Sequence, residues 1–71
     1  MKVLLVEDEL KLGEYVKKGL SEAGFIVDHQ LTGLDGYHAM MTEEFSVILM
    51  DVMLPDVSGF ELVRNYRAAG K

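Results

Sequence analysis

Three acids carry most of the chemistry legible in this sequence. Glu7 and Asp8 end the apolar run Val3-Leu4-Leu5-Val6, and Asp51 ends a second run, Val47-Ile48-Leu49-Met50. Short, continuous apolar runs of this kind read as buried strands. If the two are parallel neighbours, their carboxyl ends share one edge of the sheet, which is where open α/β sheets place ligand sites. Carboxylates gathered there cannot all stay ionised without raised pKa values or a bound cation. The pattern therefore predicts a hard metal ion held by oxygen.

The elements that must position these acids alternate along the chain. Lys2 to Val6 reads as a strand, and Glu9 to Ala23 as a helix with Leu12, Val16, Leu20 and Ala23 on an apolar stripe joined by Tyr15 and Gly19. Asp8 is the expected N-cap of that helix, and Gly24 the left-handed residue that ends it, with Phe25 making the accompanying hydrophobic contact. Phe25 to His29 is a second β-rich run. Thr32 then caps a helix that buries Leu34, Tyr37, Met40 and Met41 and that Gly33 and Gly36 weaken. Ser46 to Met50 is the third strand. A loop with the only proline, Pro55, leads to a third helix from about Gly59, where Ser58 and Glu61 fit a capping box and Gly70 is the stop.

Strands alternating with helices imply βαβ units and a parallel sheet. Crossovers in such sheets are right-handed. With the first strand central, the order is 2-1-3, which puts the first helix on one face and the second on the other. That order also makes strands one and three neighbours, as the acid cluster requires.

Composition narrows the function classes. At 71 residues with no cysteine, the chain is at most one small domain near the lower limit for independent folding. Its apolar runs are too short to span a bilayer, and Lys2 leads straight into a strand rather than a secretory leader. A cytoplasmic address is the expectation, with no membrane partner. The net charge of −5 argues against nucleic acid binding by this segment, because phosphates demand a basic footprint.

Lys2-Val3-Leu4-Leu5-Val6-Glu7-Asp8-Glu9, taken with Ile48-Leu49-Met50-Asp51-Val52-Met53-Leu54-Pro55-Asp56-Val57-Ser58-Gly59, resembles the receiver domain of two-component response regulators, the CheY-like fold. The Glu-Asp start and the Met-Leu-Pro step resemble the OmpR-like class of transcriptional regulators. Gly13-Glu14-Tyr15 and Gly33-Leu34-Asp35-Gly36-Tyr37 look like members that respond to copper or other heavy metals. The resemblance implies that Asp51 is the phosphoacceptor, a carboxylate nucleophile that becomes an aspartyl phosphate. It implies Mg²⁺ bound directly by Asp8, Asp51 and the backbone carbonyl of Met53, with Glu7 acting mainly through water. It also implies a sensor histidine kinase as partner, and a loop shaped by Pro55 and Gly59.

The sequence departs from that pattern in extent. Receivers continue for two more βα units, which supply a Ser or Thr after strand four and a Lys after strand five. Residues 1–71 match the first three units, the N-terminal part of a receiver with no output domain, and Lys71 does not read as the missing lysine. The outer edge of strand three and the sheet face beneath the first helix are then expected to be bare, so a homodimer or higher oligomer through that edge is expected.

Other residues have plainer readings. Asp56 reads as a solvated loop acid, and Met40, Met41, Met50 and Met53 as packing residues. His29 and His38 lack ligand spacing, and Lys17-Lys18 is a solvated helix face. Three function classes compete: a phosphoacceptor signalling module, which is not a classical enzyme; a self-associating fragment that binds metal without phosphotransfer; and a haloacid-dehalogenase type phosphatase. The last wants a second acid two residues after the nucleophile, where Met53 stands.

Overall fold

The computed structural model describes residues 1–70; Lys71 lies outside the described residues. The elements run β1 (Lys2–Val6), α1 (Leu10–Glu22), β2 (Ile26–Gln30), α2 (Gly33–Thr42), β3 (Val47–Met50) and α3 (Gly59–Ala68). The sheet is parallel with order β2-β1-β3, as the alternation predicts, and Leu5 stands between His29 and Leu49 in register.

Alternation along β1 divides the core. Leu4 and Val6 point to one face, where Ala39 and Met40 of α2 bury them together with Ile48, Met50, Leu54 and Tyr66. Val3 and Leu5 point to the other, against Val27 and the partly buried Val16, Leu20 and Phe25. With period-two side chains, a central strand buried on both faces must be apolar throughout, which is what Val3 to Val6 supply.

Helix ends follow local chemistry, with corrections. Gly24 has φ +96°, and the bonds Gly24 N to Ser21 O (3.0 Å) and Phe25 N to Leu20 O (3.0 Å) form the expected Schellman stop. At the other end of α1 the N-cap is Glu9 rather than Asp8, with no side-chain cap bond, because Asp8 turns toward the other acids. Thr32 caps α2 through Asp35 N at 3.1 Å. Ser58 caps α3 through Phe60 N at 3.2 Å, one residue short of the predicted capping-box partner Glu61.

The predicted helix faces need more change. Leu34 is 65% exposed and Tyr15 78% exposed, while Gly13, Gly36 and Ala39 are buried. Gly19, Leu12 and Ala23 also face solvent. Gly36 is no weak point: a Cβ there would lie 2.6 Å from Val6 Cγ2, so the missing side chain lets α2 sit directly on β1. That close approach, rather than the most apolar arc, sets the rotation of α2. Met53, read as a packing residue, is 82% exposed.

Candidate metal and acceptor site

The ladder itself gathers the acids. Beyond the last paired residues, Val6 and Met50, Asp51 N donates to Val6 O at 3.0 Å, and on the other side Glu7 N donates to Gln30 O at 3.0 Å. Asp51 therefore leaves β3 beside the point where Glu7 and Asp8 leave β1. The carboxylates of Glu7, Asp8 and Asp51 each place an oxygen within 4.8 Å of the others. Glu7 and Asp51 are half-buried and Asp8 faces solvent.

Electrostatics at this edge is unrelieved. Partial burial pushes the Glu7 carboxyl above its ordinary value, and a carboxyl contact with Asp51 and the negative charges of Asp51 and Asp8 push the same way, against a weaker lowering by the Glu9 backbone. Among the described residues the ion pair is Lys2 with Glu43, at the opposite end of the sheet, so no cationic side chain offsets the cluster. An all-oxygen, carboxylate-rich set open to water on the Asp8 side fits a hard divalent cation that keeps part of its water shell, as Mg²⁺ does.

The loop after β3 is shaped by backbone proximity. Met53 N donates to Asp51 Oδ1 at 3.1 Å, and Met53 bridges antiparallel to Ser58. Gly59 N donates to Val52 O at 3.0 Å, and a Cβ on Gly59 would lie 2.5 Å from Asp51 O, so α3 begins hard against the backbone of Asp51. Pro55 stands exposed at the loop. Met53 is thus held beside Asp51 by its backbone, with its side chain in solvent.

Two residues do more than their sequence context implies. Asp56 is exposed as expected, yet its carboxylate accepts from Gly33 N at 2.8 Å and Leu34 N at 2.9 Å, tying the loop to the start of α2. Those backbone bonds hold its carboxyl below the ordinary range. His29 Nε2 lies 2.9 Å from Glu7 O, inside the site's frame, while His38 is exposed on α2. The only sequence signal for Asp56 was its place just before a helix-capping serine, and for His29 its place at the carboxyl end of a strand.

Comparison with known proteins agrees with this geometry. The family model described as the response regulator receiver domain matches residues 3–71. The probable transcriptional regulatory protein SilR of Salmonella typhimurium is 56% identical over 71 residues, 100% of this chain and 31% of SilR, so the chain spans about a third of that relative. Chemotaxis response regulator CheY4 of Vibrio cholerae superposes with a TM-score of 0.93 at 32% identity, over 97% of this chain and 57% of CheY4. Response regulator TrrA of Thermotoga maritima, solved with Mg²⁺ and BeF, superposes with a TM-score of 0.91 at 25% identity, over 96% of this chain and 59% of TrrA. TrrA solved in complex with the histidine kinase ThkA gives 0.87 at 25% identity, over 94% and 58%. With its parallel 2-1-3 sheet, its acids at the carboxyl edge and a family match over nearly its whole length, the chain belongs to the response regulator receiver domain family.

Proposed function

We propose that this chain is a phosphoacceptor segment of a two-component response regulator, in which Asp51 takes a phosphoryl group and Mg²⁺ is held by Asp8, Asp51 and the Met53 backbone carbonyl, with Glu7 acting through water. The observation that carries this reading is the convergence of Glu7, Asp8 and Asp51 within 4.8 Å at the carboxyl ends of β1 and β3.

The chain's own groups have distinct parts in that chemistry. A carboxylate oxygen of Asp51 attacks phosphorus, forming a P–O bond as the P–N bond of a donor phosphohistidine breaks and the departing imidazole is protonated. Met53 N–H, bonded to Oδ1, orients the Asp51 carboxylate. Asp8, open to water, offers a carboxylate ligand that can share the cation with solvent. Bound Mg²⁺ supplies the neutralising charge without which an anionic nucleophile and an anionic phosphoryl group repel each other.

The partner in this proposal is a sensor histidine kinase, supported by the complex of TrrA with ThkA. Residues 1–71 form the N-terminal part of a receiver in a cytoplasmic transcriptional regulator, supported by the match to SilR. No helix among the described residues is long and apolar enough to cross a membrane. The stimulus class is copper or another heavy metal, on the resemblance at Gly13-Glu14-Tyr15 and Gly33 to Tyr37. The net charge of −5 keeps nucleic acid contact away from this segment.

A second reading is favoured by one observation: among the described residues β3 pairs with β1 alone, leaving its other edge and the exposed Val47 and Leu49 open to a second copy. In that reading the chain binds metal and self-associates without accepting phosphate. Intact-mass analysis after incubation with acetyl phosphate separates the two. A Mg²⁺-dependent phosphate adduct that disappears in Asp51→Asn supports the acceptor; a folded sample with no adduct favours the self-associating fragment.

A further inference from the structure

His29 stands where the backbone of the acidic site leaves the sheet. The ladder between β1 and β2 closes with Glu7 N on Gln30 O at 3.0 Å, so Glu7 O is the first acceptor beyond it. His29 Nε2 reaches back to that oxygen at 2.9 Å. Since a carbonyl only accepts, Nε2 carries a proton in this contact. Both polar groups of the Glu7 backbone are then held, and because the peptide unit is planar, the orientation of the Glu7–Asp8 peptide is held with them.

Elsewhere in that turn, Glu9 O accepts from Gly13 N at 2.9 Å and the Glu9 backbone bonds to the Glu7 carboxylate, but neither contact holds the Glu7 carbonyl. Glu9, the N-cap of α1, makes no side-chain cap bond, and Asp8 is exposed. The imidazole is half-buried. It packs against α1 at Gly13, where a Cβ would stand 2.0 Å from Cε1, 2.3 Å from Nε2 and 2.9 Å from Nδ1. A glycine inside a helix is less favourable than alanine. Gly13 is the residue that gives the ring its seat.

We propose that His29 is a positioning residue for the acid cluster: seated against Gly13, it locks the Glu7 carbonyl and so aims Glu7 and Asp8 at Asp51. The inference rests on the reading of that cluster as a divalent cation site. Neither His29 nor Gly13 touches the cation or the phosphoryl group in this scheme, and both act through the backbone of Glu7 and Asp8.

Calorimetric titration of Mg²⁺ into the metal-free chain tests it, alongside thermal unfolding of the same samples. His29→Phe keeps a ring and removes the donor. It is expected to weaken Mg²⁺ binding about ten-fold, the lower end for loss of a group that orients metal ligands, with the metal-free unfolding midpoint little changed. His29→Gln, which retains an N–H donor, is expected to recover part of the affinity. Gly13→Ala is expected to weaken binding in the wild-type background but not in His29→Ala, where the added methyl has room. Wild-type affinity in His29→Phe, together with lost binding in Asp51→Asn, overturns the role of His29 and leaves the cluster reading intact. No Mg²⁺ binding by the wild type overturns both. If His29→Phe does not fold, the wild-type imidazole decides by ¹⁵N–¹H correlation, because a ring protonated at Nδ1 and bare at Nε2 overturns the proposal.

Discussion

The Asp56 carboxylate sits 2.8 Å from the backbone amide of Gly33, capping a helix to which it does not belong. Its second oxygen takes Leu34 N at 2.9 Å, and Thr32 takes Asp35 N at 3.1 Å, so the first three amides of α2 are all satisfied. Gly33 makes the contact possible, since a Cβ there would lie 2.3 Å from Val57 Cγ2 and 3.0 Å from Asp56 Oδ1. The loop that holds Met53 beside Asp51 is thereby tied to the start of α2.

The clamp has an acid limit. The backbone bonds from Leu34 and Gly33 lower the Asp56 pKa from its ordinary value of 3.8. Because the folded value lies below the unfolded one, the stabilisation is fully present above the ordinary value and is lost as pH falls through the folded one. Asp56→Ala is expected to lower the urea midpoint at pH 7 and to shrink that difference at low pH. A wild-type and variant pair with parallel midpoints from pH 7 to pH 3 contradicts it.

Glu7 has the opposite sign. Its pKa is raised by partial burial, then by Asp51 and Asp8, so the ionised form is penalised in the folded chain and the penalty lifts as pH falls through the raised value. Without metal, Glu7→Gln is expected to unfold at a higher temperature than wild type at pH 7, with the gap closing on acidification. Added Mg²⁺ is expected to stabilise the wild type more than the variant, by mass action on the folded state. Differential scanning fluorimetry across pH with and without Mg²⁺ reads all three.

Two helical glycines provide a matched pair. A Cβ at Gly36 meets Val6 Cγ2 at 2.6 Å and Cγ1 at 2.9 Å, whereas one at Gly19 has nothing within 4 Å. Gly36→Ala is expected to destabilise by about 1–3 kcal/mol as an overpacked core position, despite its better helix propensity. Gly19→Ala is expected to stabilise by up to about 1 kcal/mol, since propensity acts there unopposed. Chemical denaturation of both variants checks the pair, and Val6→Ala in the Gly36→Ala background should recover part of the loss.

The acid cluster was legible because its causes are short-ranged in pattern. An apolar run followed by an acid marks the carboxyl end of a strand, and a parallel ladder brings such ends to one edge. The stop at Gly24 and the cap at Thr32 are likewise local. The partners of Asp56 and His29 lie across turns, 22 or 23 positions away, where no periodicity links them. Leu34 was misplaced for a different reason. The apolar positions of α2 spread over an arc from Ala39 through Met40 to Leu34, so their spacing identifies a helix without fixing which part of the arc is buried, which the contact of Gly36 with Val6 decides.

The free edge of β3 leads to a prediction about association. Val47 and Leu49 are 41% and 39% exposed on the face shared with the buried Val3 and Leu5, and Leu12 of α1 is also open beside them. A bare apolar strip next to unpaired backbone groups favours addition of another strand, and a second copy supplies one with the same apolar alternation. The 71-residue chain is therefore expected to sediment as a concentration-dependent dimer or larger species. Leu49→Lys places a charge on the strip without touching the fully buried Leu4, Val6 or Met40, so it should shift the chain to monomer while preserving the far-ultraviolet spectrum. A wild-type monomer that unfolds cooperatively at every concentration tested would show instead that β1, held on both faces by α1 and α2, stabilises the three-stranded sheet by itself.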